Sequence, residues 1–159
     1  MITYVYTLFF YNPNRIGAVM KKWSTHCIAL FFCASIMLSM GCIKKADNYQ
    51  QFAVNFEWSG GGLSSPNPEI TITNPPAGTG FFKVQMTDLD MTSFDHGGGT
   101  VPCTVKNGIA TIEQGSLKGY RGPEPPMTQR HQYMIKVFAL NMDQTLVLGE
   151  GKAVRSYPH

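Results

Sequence analysis

Two carboxylates, two imidazoles and a phenol fall between residues 88 and 133: Asp88, Asp90, His96, His131 and Tyr133. Glycine and proline turns separate them, at His96-Gly97-Gly98-Gly99 and at Gly119-Tyr-Arg-Gly-Pro-Glu-Pro-Pro126. Such groups can bind an anion through imidazole and phenol donors, with the carboxylates orienting the imidazoles. Two His and two Asp could also hold zinc. Each group adjoins a segment with the pattern of a buried strand. A β-scaffold collects polar groups in this way at the mouth of one pocket.

Side-chain parity sharpens that expectation. Along a strand, alternate residues share a face. Phe82, Val84 and Met86 are apolar at even positions, and Asp88 and Asp90 continue that parity. His131 and Tyr133 share odd parity with Ile135, Val137 and Ala139. Both sets therefore point inward just past an apolar core. Burying a carboxylate is costly unless it is paired or hydrogen-bonded. A charged imidazole beside it meets that need, because each favours the other's ionised form. The plain alternative is that each strand ends in a bulge and these groups face water.

The elements that must position them are strands. Val54, Phe56 and Trp58 alternate with polar residues, as do Ile70 and Ile72, and Val101, Cys103 and Val105 form another short run. Met134 to Leu140 is almost continuously apolar, the pattern of a central strand covered on both faces. Thr145 to Leu148 and Ala153 to Tyr157 are further candidates. Ser59-Gly-Gly-Gly62, Asn74-Pro-Pro-Ala-Gly78, Gly97 to Gly99 and Gly122 to Pro126 punctuate them as turns. No helical stripe follows Cys42, beyond room for one short helical turn. The expected fold is mainly β: an antiparallel β-sandwich with long Gly/Pro loops.

The N-terminus has a different character. Met20-Lys-Lys-Trp23 gives a basic start, the 14 residues Cys27 to Met40 are apolar, and Gly41-Cys42 follows. This is the layout of a secretory signal, and the run is short for a membrane span of about 20 residues. Leu38-Ser-Met-Gly-Cys42 has the form of a loose bacterial lipobox, with Ser39 where Leu is usual. Cleavage is expected before Cys42, whose thiol then carries lipid. Residues 1–19 lack a basic start, so translation is expected to begin at Met20. The expected organisation is a signal peptide at 20–41, a lipidated polar tether at 42–51 and one domain at 52–159. Ile43 is not the aspartate that retains some lipoproteins at the inner membrane, so the expected site is the outer membrane, facing the periplasm.

Composition then excludes several classes. The chain carries +3, but Arg15, Lys21 and Lys22 leave with the signal, and ten basic residues then balance ten acidic ones. No basic patch remains to recruit nucleic acid. Of four cysteines only Cys103 stays free in the domain, so no disulfide is expected within it, and Cys103 itself has the setting of a small core residue. The 118 residues from Cys42 onward suffice for one core.

From about Phe52 to Pro158 the motifs resemble the phosphatidylethanolamine-binding protein family, also called Raf-kinase-inhibitor-like proteins, and its bacterial branch most. Trp58-Ser-Gly-Gly-Gly-Leu-Ser-Ser-Pro66 resembles its early Gly-x-x-x-Ser-Pro loop, and Pro76-Ala-Gly-Thr79 its Pro-Ala-Gly-Thr turn. Asp88-Leu89-Asp90 stands where the family has Asp-Pro-Asp, and His96 where it has a pocket histidine. Gly119 to Pro126 resembles its Gly-Pro-Cys-Pro-Pro loop, and His131-Gln132-Tyr133 its His-Arg-Tyr. The resemblance implies a β-sandwich with a small cavity for phosphate or a phospholipid head group. It implies that Asp88, His96, Pro123, His131 and Tyr133 line the cavity, supported by Asp90. Glu124 replaces the loop cysteine and Gln132 replaces the arginine, and both changes lower the local positive potential.

Three functions fit these residues. The first is a lipid-anchored binding protein for a small anion or phospholipid head group, with no cofactor or resident metal. The second is a structural or inhibitory envelope lipoprotein whose polar cluster only stabilises loops. The third, a metal-dependent hydrolase, lacks both a His-Glu-x-x-His helix and a nucleophile elbow. The chain is accordingly expected not to be an enzyme.

Overall fold

The computed structural model describes residues 43–158. The expected signal peptide and Cys42 lie outside them. Ten strands follow in order: β1 (Lys44–Gln51), β2 (Ala53–Phe56), β3 (Ile70–Thr73), β4 (Phe81–Asp88), β5 (Asp95–Pro102), β6 (Val105–Lys106), β7 (Ile109–Ile112), β8 (Gly119–Tyr120), β9 (His131–Leu140) and β10 (Leu146–Tyr157). They form a six-stranded sheet, β1-β10-β9-β4-β5-β8, and a four-stranded sheet, β2-β3-β7-β6. No helix occurs among the described residues. The mainly-β architecture is the one the period-two alternation predicts.

The core lies between the inner faces of the two sheets. Ile70, Ile72, Ala110 and Ile112 come from the small sheet, and Phe82, Val84, Met86, Ile135, Val137 and Ala139 from the large one. Phe56 and Trp58 close one end, and Trp58 donates its indole N–H to the Ser156 carbonyl at 2.8 Å. Each fully buried large aliphatic or aromatic side chain contributes roughly 1.5–3 kcal/mol, so this shared core dominates stability.

Several local expectations change. The polar stretch from Lys44 to Gln51, expected as a tether, is strand β1, which pairs with β10 in parallel. The large sheet is therefore mixed, not purely antiparallel. Most β1 side chains are exposed. Backbone bonds hold the strand, so it needs no apolar pattern. Strand β9 is central, but only its odd face is fully buried, and Met134, Lys136 and Phe138 on the other face are half-buried.

The two C-terminal candidates are one 12-residue strand. Its internal glycines are not breaks. A Cβ at Gly151 would stand 2.5 Å from the Phe52 carbonyl, where the chain crosses from β1 to β2. Gly97 to Gly99, expected as a turn, lie within β5. At Gly98 φ is +152°, and a Cβ would come within 1.9 Å of the Val84 carbonyl on β4. Only glycine lets the two backbones approach so closely. Asn67 is the buried polar residue that sequence gave no reason to single out. Its amide bonds the Pro68 and Glu113 carbonyls and accepts from the Leu117 amide, which ties two loops together.

Candidate functional site

Antiparallel pairing of β4 with β9 sets Asp88 directly opposite Tyr133. Both sit at one end of the large sheet, where β4 stops and β9 starts. Beyond Asp88 the chain turns. The Asp88 Oδ1 accepts the backbone N–H groups of Asp90 and Met91, each at 2.9 Å. The other oxygen accepts the Nδ1–H of His131 at 2.7 Å. Asp88 and His131 are both buried. Burial opposes the charged form of Asp88 most strongly. The hydrogen bonds from His131 and from the Met91 and Asp90 amides together outweigh it and hold the carboxyl below its ordinary value of 3.8. The result is an ionised, buried carboxylate aimed at an imidazole.

That turn explains why Asp90 departs from parity. Its side chain is exposed, and its Oδ2 accepts the Gln132 amide at 2.7 Å. Asp90 fastens the turn to β9 from outside and does not face the interior.

His96 reaches the same place from β5. Its Nδ1–H donates to the Arg121 carbonyl at 3.0 Å, and the Arg121 amide donates back to the His96 carbonyl at 2.9 Å. The ring bond commits Nδ1 and leaves Nε2 free of that contact. Tyr133 packs edge-on against His96, 5.3 Å between ring centres, and stacks with His131 at 6.3 Å. Its hydroxyl is buried and makes no hydrogen bond of ordinary geometry. Burial, and then the Asp88 carboxylate, push the phenol upward, so it stays neutral.

A cavity of about 290 Å³ opens beside these groups. Leu63, Asp88, Met91, Phe94, His96, Glu124, Pro125, Pro126 and His131 line it. Asp88, His96 and His131 thus converge as their spacing predicts. Three other candidates do not line this cavity. Tyr133 lies behind the imidazoles as their packing support, because β9 carries it into the core. Pro123 is buried and borders a neighbouring depression with Gly61, Gly62 and Tyr157. Asp90 is outside, as described.

The structure adds residues that sequence reasoning missed. Phe94 shares even parity with His96, and that signal could have placed it. Leu63 and Met91 come from loops of no readable period. Gln129 Oε1 lies 3.1 Å from His131 Nε2.

Asp88, Asp90 and His131 each bring one potential metal-ligand atom within 4.8 Å of the others. Their donors are already committed, to each other and to three backbone amides. The arrangement suits holding an imidazole more than gathering a cation. The cavity wall also carries no hydroxyl, thiol or amine that could act as a nucleophile.

A search among curated proteins found no match. The family model described as phosphatidylethanolamine-binding protein matches residues 43–157, from the residue before β1 to the last residue of β10. The chain belongs to the phosphatidylethanolamine-binding protein family.

Proposed function

We propose that this protein is a lipid-anchored binding protein of a bacterial cell envelope, taking a small anion or a phospholipid head group in the cavity beside Asp88, His96 and His131. It binds and does not catalyse. The observation that carries this reading is the convergence of two imidazoles on one open cavity, one of them held by a buried, ionised carboxylate. A volume of about 290 Å³ is at the small end for ligand sites. It suits a head group, with acyl chains left outside.

His96 lines the cavity with Nδ1 committed to the Arg121 carbonyl, so Nε2 is the ring nitrogen left for a ligand. The informative variant is His96→Asn. The asparagine Nδ2 takes the place of Nδ1, so the Arg121 carbonyl keeps its donor while Nε2 is lost. Removing a charge-assisted contact costs about 1.5–3 kcal/mol, or about 10- to 150-fold in affinity. Calorimetric titration with phosphate and a short-chain phosphatidylethanolamine should show that loss in a folded variant. If the wild type binds neither, the polar cluster serves only to hold loops, and the structural-lipoprotein reading replaces this one.

The anchor is tested separately. In Cys42→Ser the lipidated residue is removed, and each buried methylene of an acyl chain is worth about 0.8 kcal/mol of membrane attachment. An unprocessed precursor, or loss from the normal membrane fraction, is the expected outcome. Processing and partitioning that match the wild type would falsify the lipoprotein assignment.

A further inference from the structure

We infer that the short link from Cys42 to strand β1 stands the domain upright on the membrane, with the cavity at the far end, out of reach of the head groups of the bilayer that holds the lipid. The inference rests on the lipid at Cys42 and on the cavity as the binding site, both proposed above. It goes beyond them by fixing the side from which a ligand arrives.

The two ends of the large sheet carry different things. Lys44 opens β1 and pairs with Leu146, the first residue of β10. Val147 beside it faces Leu140, the last residue of β9. At the other end Tyr157 faces His131, and Asp88 faces Tyr133. The chain thus enters at one end of the sheet, and Asp88, His96 and His131 line the cavity at the other. Strand β9 separates the two ends by ten residues, roughly 30 Å at the rise of a strand.

Reach decides the rest. As a free tether, residues 42–51 would extend to roughly 35 Å and would let the domain turn its cavity toward the bilayer. Eight of them are β1 instead. The Lys44 amide donates to the Thr145 carbonyl at 3.2 Å, and the Phe52 amide to the Glu150 carbonyl at 3.1 Å, so the strand is fastened at both ends. Only Ile43 then stands between Cys42 and the sheet. Two residue steps span about 7 Å at most, far less than the length of β9.

The anchored end has side chains that suit such a seat. Ile43 and Met142 are exposed apolar residues there, Met142 in the turn between β9 and β10. Lys44, Lys45 and Asp143 near them are exposed and charged. A lysine stem can lie along an apolar surface while its ammonium stays in water. The cavity end also exposes Leu89, Met91 and Met127, but the short link keeps them from the same bilayer. Of the two ligands proposed above, a free anion is the one this placement admits without drawing a lipid out of the membrane.

The test is a depth measurement on the mature lipidated chain, purified from membranes and added to phosphatidylcholine vesicles whose head groups carry a nitroxide quencher. A fluorophore is attached at Met142→Cys or at Met127→Cys, each combined with Cys103→Ala so that a single thiol is labelled. Met127 lies on the loop leading to His131 and is 91% exposed, so a label there leaves the packing intact. Nitroxide quenching acts only near contact. The label at position 142 should lose most of its emission, and the label at position 127 should keep it. A flexible Gly/Ser insert of about ten residues between Ile43 and Lys44 restores the reach and should narrow that difference. Equal quenching at both positions, or stronger quenching at 127, overturns the inference and leaves the lipid anchor standing. So does quenching at neither position, or a difference that the insert does not change. A chain that does not stay on the vesicles overturns the anchor and the inference together.

Discussion

Replacing Asp88 with alanine lowers the stability of the domain by about 3–5 kcal/mol, the usual consequence of breaking a buried ion pair from one side. Three donors lose their acceptor at once: the His131 Nδ1–H and the amides of Asp90 and Met91. For a domain of this size the loss corresponds to roughly 10–20 °C in melting temperature. Asp88→Asn falls between the two, because its remaining oxygen can still accept the two amides. The pH dependence has a definite sign. The folded state holds the Asp88 carboxyl below its ordinary value of 3.8. Its contribution is therefore fully present above about pH 4 and is lost as pH falls through the lower, folded value. The gap between wild type and Asp88→Asn should narrow as acid protonates the wild-type carboxyl. Thermal melts at pH 7 and pH 3 check this. A gap of equal size at both would mean that the ionised carboxylate is not what stabilises the turn.

Gly98→Ala is expected to be as damaging, for a reason unconnected with charge. The residue sits inside β5 at φ +152°, and its Cβ would meet the Val84 carbonyl at 1.9 Å. That neighbour is backbone of the adjacent strand and cannot swing away. Strain of the backbone and overpacking each cost about 1–3 kcal/mol, so a combined loss of roughly 3 kcal/mol or more is expected. Because β5 also carries His96, separating β5 from β4 should weaken ligand binding alongside stability. Gly60→Ala is the control, since its Cβ would meet only the Ser65 Cβ at 4.0 Å. Denaturant unfolding of the two variants gives the comparison. A Gly98→Ala domain as stable as the control would show that β4 and β5 can move apart freely.

How the site is supported also bears on how far its parts can be changed. Asp88, His131 and Tyr133 are coupled through one hydrogen bond and one ring stack, so their substitutions should not add independently. His96 is held from β5 and the loop after β8 instead. It offers a way to alter the ligand face with less disturbance to the ion pair.

The sequence by itself determined the strands that have one buried face. Period two placed Phe82, Val84 and Met86 inside, and the same parity carried Asp88, His131 and Tyr133 inward. Motif order also identified His96 as a member of the same site. Sequence alone could not reveal β1, because an edge strand held by backbone hydrogen bonds leaves no apolar signature. The glycines within β5 and β10 were equally opaque. Their reason is the close passage of another backbone, which exists only once the sheets are assembled. Parity failed at Asp90 because the Asp88 carboxylate captures the next two free amides and turns the chain. Only the tertiary structure decided which groups line the cavity. It set Tyr133 and Pro123 behind the wall and brought Glu124, Phe94, Leu63 and Met91 into it. Side-chain alternation is a local property of the chain, whereas a cavity forms where loops distant in sequence are brought together by packing.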